Sequence, residues 1–141
     1  MKKLGVMMLL SCFSMLLSAS DRREPQKISL TTGWEFSQVG KGEWLPAKVP
    51  GTVHQDLIDN GKLINPFYGM NEEKVQWVEK EDWVYKTTFQ VSKEQLAYDD
   101  ALLEFEGLDT YADIYLNGSL LERTDNMFMG YELPVKAVLR E

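Results

Sequence analysis

The segment from Asn65 to Tyr85, NPFYGMNEEKVQWVEKEDWVY, gathers aromatic rings, side-chain amides and carboxylates in one short stretch. Phe67, Tyr68, Trp77, Trp83 and Tyr85 supply the rings. An aromatic face suits the apolar face of a pyranose. A side-chain amide is both donor and acceptor, which suits sugar hydroxyls. Trp77 and Trp83 could stack on such a ring, and the Asn71 amide could meet its hydroxyls. The acids Glu72, Glu73, Glu79, Glu81 and Asp82 raise the question of acid–base chemistry, but a solvated face accounts for them more simply. Each candidate also has a plain structural role. Asn71 fits the N-cap of a short turn over Glu72 to Val75. Trp83 falls on the apolar face of a strand and belongs in a core. Trp77 lies in the loop before that strand and fits core packing and interdomain packing equally.

Outside this stretch the chemistry is sparse. His54 is the only histidine, mid-helix and without a partner His or Cys beside it to share a metal. Asp109 and Asp113 flank a strand start, where turn and surface roles are expected. No EF-hand-type loop is present, and no metal or cofactor is expected. Cys12 is the only cysteine, so neither a disulfide framework nor a thiolate nucleophile is available.

The N-terminus reads as a targeting segment. Lys2 and Lys3 precede an apolar run from Leu4 to Leu17, and Ser18-Ala19-Ser20 offers small residues for cleavage before Asp21. The run is shorter than the roughly 20 residues a membrane span needs. Export with removal of residues 1–20 is the expectation. The alternative is a lipid anchor through Cys12, because LLSC (Leu9 to Cys12) looks like a lipoprotein processing box. The chain carries net charge −7, and losing a leader with two lysines and no acid makes the remainder more acidic. Phosphate contacts need a basic surface, so nucleic acid is excluded as a partner.

The elements that must position these residues are short. Lys27 to Leu30 and Trp34 to Val39 read as strands around the Thr31-Thr32-Gly33 turn. Thr52 to Asn60 reads as a helix, with Thr52 and Gln55 spaced as a capping box and Gly61 placed for a left-handed C′. Val53, Leu57 and Ile58 share its apolar face. From Trp83 to Val91 the pattern has period two, with Trp83, Tyr85, Thr87, Phe89 and Val91 on one side. Ala101 to Leu108 is a further strand. Tyr111 to Arg123 is a hairpin whose Asn117-Gly118 suits a type I′ turn, and Met127 to Leu133 is the next strand. About seven short strands, one helix and no crossover-length helix define an all-β jelly roll or sandwich over residues 21–141. The closing PVKAVLRE reads as an incomplete C-terminal edge, a truncated sandwich.

Several spellings combine into a family resemblance: VPGTVHQDLIDNG (Val49 to Gly61), NPFYGMNE (Asn65 to Glu72), QWVEKEDWVYKTTF (Gln76 to Phe89), LEFEGLDTYADIYLNGSLL (Leu103 to Leu121) and DNMFMGYELPV (Asp125 to Val135). In this order they resemble the N-terminal, galactose-binding-like domain of β-mannosidases in glycoside hydrolase family 2. GLDTYADIYLNG resembles the whole family. The earlier motifs resemble the β-mannosidase branch, with exo-β-glucosaminidases next. The resemblance implies an enzyme several times longer, in which an immunoglobulin-like domain and a (β/α)8 barrel follow. The two catalytic glutamates would sit in that barrel, in a retaining mechanism. No glutamate here matches their motifs, so no catalytic residue is assigned and the chain alone is expected to be inactive. The substrate of the whole enzyme would be a terminal non-reducing β-D-mannose residue of an oligosaccharide, the remaining domains would be its partners, and the resemblance implies that Asn71, ahead of Trp77, is the candidate substrate contact, on a loop reaching the barrel mouth. The other readings are a stand-alone carbohydrate-binding module and a fragment of another family 2 glycosidase, an exo-β-glucosaminidase or a β-galactosidase.

Overall fold

The computed structural model describes residues 24–140. The expected leader, with Cys12, lies outside them. Seven strands, three short α-helices and one 3-10 turn follow in chain order: β1 (Glu35–Gln38), β2 (Leu45–Pro46), α1 (Val53–Asp59), α2 (Asn71–Val75), the 3-10 turn (Val78–Lys80), β3 (Trp83–Lys86), α3 (Lys93–Leu96), β4 (Leu102–Phe105), β5 (Ala112–Leu116), β6 (Ser119–Thr124) and β7 (Tyr131–Pro134).

The strands form antiparallel sheets in the order β2-β1-β3, β4-β7 and β5-β6. In the first, Phe36 lies opposite Leu45 on one side and Tyr85 on the other. In the second, Leu103 faces Leu133. Two apolar clusters result. Phe36, Leu57 and Val78 centre the first, with Val53, Trp83 and Tyr85 packed against them. Ile114, Leu133 and Val135 centre the second, with Leu103, Leu116 and Leu121 around them. Fully burying side chains of this size contributes about 1.5–3 kcal/mol each.

Local chemistry explains the elements. Side chains alternate half-buried and exposed from Trp83 to Val91 as period two demands, but the ladder stops at Lys86, whose partner Glu35 begins β1. Beyond it the Thr87 hydroxyl reaches the carbonyls of Thr32 and Gly33 at 3.3 and 3.2 Å. In the hairpin, Ile114 is buried while Asp113 and Tyr115 face out. Asn117 and Gly118 both take positive φ, +51° and +81°, as a type I′ turn requires. At the end of α1, Lys62 N–H donates to Leu57 O (2.8 Å) and Gly61 N–H to Ile58 O (2.9 Å). That is a Schellman motif with glycine at C′.

Several boundaries differ from the sequence expectation. Lys27 to Leu30 joins no ladder; instead Lys27 Nζ lies 2.5 Å from Glu104 on β4. Leu45–Pro46 is an additional edge strand, short enough to tolerate proline. Met127 to Gly130 is a loop and the strand begins at Tyr131, because Asn126 Oδ1 accepts the Phe128 N–H at 2.9 Å and turns the chain there. The α1 capping box is only half formed. Thr52 Oγ1 accepts from Gln55 N–H at 3.3 Å, while the Gln55 amide turns to Asp59 at 2.7 Å. The complete box belongs to α3, between Ser92 and Gln95.

Candidate functional site

The aromatic stretch divides into a closed loop, a short helix and an aromatic relay to the core. After the Schellman turn the chain reaches Asn65, which organises the loop from both of its oxygens. Its Oδ1 accepts the Phe67 N–H at 2.9 Å, and its main-chain carbonyl accepts the Asn71 side-chain amide at 3.0 Å. Gly69 takes φ +61° between them. Asn71 N–H returns to Tyr68 O at 3.3 Å. These bonds hold the loop shut while presenting Phe67, Tyr68 and Met70 outward, 96%, 80% and 72% exposed.

Asn71 opens α2 rather than capping it. The N-cap is Met70, which makes no side-chain cap bond. The Asn71 amide nitrogen is committed to Asn65, and its Oδ1 is in no hydrogen bond among the described residues. One of its N–H donors is therefore structural, and its carbonyl oxygen is open to a ligand. Val75 and Val78, 4% and 2% exposed, anchor the segment beneath.

Trp77 falls between these anchors and remains 38% exposed. Its ring lies 6.0 Å from that of Trp83, tilted by 46°. Trp83 in turn lies 5.9 Å from Phe36, and its indole N–H donates to Val78 O at 3.0 Å. Trp83 is thus core, as its strand position predicts. Trp77 is a surface ring braced from behind by a core ring, which serves a packing partner or a sugar equally. Asn71 opens α2, and Trp77 lies just past its C-terminus, at the start of the 3-10 turn.

The acids of the stretch are all exposed, and Glu81 only accepts from Gln38 at 2.8 Å. Asp113 pairs with Arg123 across the hairpin (3.4 Å), and Asp109 accepts from Thr110. His54 is half-buried on α1. Among the described residues no group of three or more His, Cys, Asp or Glu could hold a metal, and no helix is long and apolar enough to cross a membrane.

Sequence reasoning passed over Asp56. It is 1% exposed, and its carboxylate accepts from Lys48 N–H at 2.9 Å and from Tyr85 hydroxyl at 2.8 Å. It therefore ties α1 to β3 and to the chain that enters α1. Burial, reinforced by the Asp56 carboxylate, pushes the Tyr85 phenol well above its ordinary value. The available signal was position. Asp56 follows Val53 by three residues and precedes Leu57, so it shares their inward face.

An open depression of about 630 Å³, lined by Lys27, Glu104, Phe105, Tyr131 and Glu132 among others, includes no residue of the 65–83 stretch. Small antiparallel sheets over two apolar clusters, with a braced aromatic loop at the surface, define an all-β domain. A family model described as glycosyl hydrolase 2 galactose-binding domain-like matches residues 34–141, and the chain belongs to that family. It is 40% identical over 115 residues to Beta-mannosidase B of Aspergillus terreus, covering 79% of this chain and 14% of that protein. Beta-mannosidase B of Aspergillus clavatus is also 40% identical, over 119 residues. The crystal structure of Beta-D-Mannosidase from Dictyoglomus thermophilum superimposes with a TM-score of 0.79 at 54% identity, covering 81% of this chain and 14% of that one. The chain thus spans about a seventh of the length of the curated relatives it matches.

Proposed function

We propose that this chain serves as the first domain of an exported β-mannosidase, a scaffold that borders the active site and carries none of the catalysis. The observation that supports this most is the run of β-mannosidase relatives over one domain, at 54% identity in a solved structure. The whole enzyme would release terminal non-reducing β-D-mannose from oligosaccharides, with catalysis in a barrel reached through an immunoglobulin-like domain. Asn71 would offer its open amide oxygen to a sugar hydroxyl, and Trp77 would contribute a ring face to the pocket wall. Export rests on the leader-like residues 1–20.

The exposed Phe67 and Tyr68 support a second reading, a self-sufficient carbohydrate-binding module. Titration of purified chain, leader removed, with mannose and manno-oligosaccharides separates the two. The scaffold reading expects no micromolar binding and no hydrolysis of an aryl β-mannoside. Micromolar binding would favour the module, and turnover above blank would place chemistry in this domain.

A further inference from the structure

The chain contains two Asn-Gly steps, Asn60-Gly61 and Asn117-Gly118. Such steps are prone to a spontaneous reaction. The main-chain nitrogen of the glycine attacks the side-chain carbonyl carbon of the asparagine, and ammonia leaves with the proton that nitrogen gives up. The resulting cyclic imide is opened by water to aspartate or isoaspartate. No oxidant or cofactor is needed. Glycine favours the attack because it has no Cβ to crowd the ring. What remains is whether the fold leaves the two reacting groups available.

The two steps differ in both groups. Asn60 is half-buried, and its amide nitrogen donates to Pro46 O at 2.9 Å and to Asp56 O at 2.7 Å. The attacking nitrogen, Gly61 N, is held in the Schellman bond to Ile58 O at 2.9 Å. Asn117 is exposed at the tip of the β5–β6 hairpin. Its amide makes one bond, donating to Val138 O at 2.7 Å. Gly118 N–H is in no hydrogen bond among the described residues.

We propose that Asn117 is a site of spontaneous deamidation in the folded protein, that Asn60 is protected, and that conversion at Asn117 releases the turn that closes the second apolar cluster. The release follows from the bond that is lost. The amide donor becomes a carboxylate, which faces the Val138 carbonyl as one acceptor against another. Val138 and its neighbours Val135 and Leu139 pack on the second cluster, and Val138 N–H and Leu139 N–H both return to Val135 O, at 3.0 and 3.1 Å. Isoaspartate additionally lengthens the main chain in a turn that admits only two residues.

The test is incubation of the purified chain in mildly alkaline buffer, followed by peptide mapping for aspartate and isoaspartate at both steps. A denatured sample serves as reference for intrinsic reactivity. In the folded chain Asn117 should convert at least about tenfold faster than Asn60, the factor that one or two additional net hydrogen bonds impose on a barrier. In denaturant the two rates should converge. Equal rates in the folded chain, or a faster Asn60, would overturn the assignment. The consequence is read by hydrogen exchange on Asn117→Asp and on the aged fraction separated by anion exchange. The Val138 and Leu139 amides should exchange several-fold faster, while Val39 N–H, bonded to Asp82 O beside the first cluster, should not change. Unchanged protection at Val138 and Leu139 in both samples would refute the release.

Discussion

Replacing Asp56 by alanine is the perturbation with the clearest structural arithmetic. Asp56 is buried, and its two carboxylate oxygens each serve one donor, Lys48 N–H and the Tyr85 hydroxyl. Alanine leaves both donors without acceptors. A stranded buried donor costs about 1–3 kcal/mol. Tyr85 is only half-buried and can recover some hydration, so about 1.5 kcal/mol per donor is the working value. The total of about 3 kcal/mol is large against a typical stability of 5–15 kcal/mol. For a domain of this size it corresponds to a Tm lower by roughly 12 °C. Urea unfolding followed by tryptophan fluorescence measures it, because Trp83 lies in the same cluster. Asp56→Asn keeps an acceptor and the shape, and should lose only about 1 kcal/mol. Adding Tyr85→Phe to Asp56→Ala removes one stranded donor, so the double variant should be more stable than the sum of the two single losses implies. An Asp56→Ala loss below about 1 kcal/mol, or strict additivity in the double variant, would refute the claim that this carboxylate clamps α1 to β3.

Trp83→Ala should cost about 3 kcal/mol by opening a cavity beside Phe36, whereas Trp77→Ala should cost about 1 kcal/mol or less; denaturant midpoints at constant m-value decide between these. The raised Tyr85 phenol predicts a pH dependence. Its contribution is fully present below the ordinary phenol value of about 10 and is lost as pH rises toward the higher folded value. Wild type should therefore lose stability above about pH 10, and Tyr85→Phe should lose less over that window, as urea midpoints at each pH will record.

The features carried by local chemistry were readable in the chain itself. The alternation from Trp83 to Val91, the Asn117-Gly118 turn and Gly61 at C′ all follow from the residues present, and all hold in the structure. Features that depend on a distant partner were not readable. Leu45–Pro46 pairs only because β1 offers an edge. Asn71 does not cap its helix because the helix already begins at it, with Met70 at the N-cap, and its amide nitrogen is drawn to the Asn65 carbonyl across the loop. Met127 to Gly130 has the apolar character of a strand, yet Asn126 captures the Phe128 N–H and the ladder starts later. Two signals were present and unread: the Ser92–Gln95 capping spacing that starts α3, and an acid on the inward face of α1. Of the site, the aromatic and amide types pointed to the 65–77 segment, but the commitment of the Asn71 amide nitrogen to the loop required the folded chain.

As proposed, this domain would support catalysis that it does not itself perform. The most direct measurement exchanges it for the matching domain of the Dictyoglomus thermophilum enzyme and follows aryl β-mannoside hydrolysis by the chimera. The chimera should turn over, the isolated chain should not, and Asn71→Ala and Trp77→Ala should each raise KM in the chimera. A folded chimera without activity, turnover by the isolated chain, or unchanged KM in both variants would contradict this role.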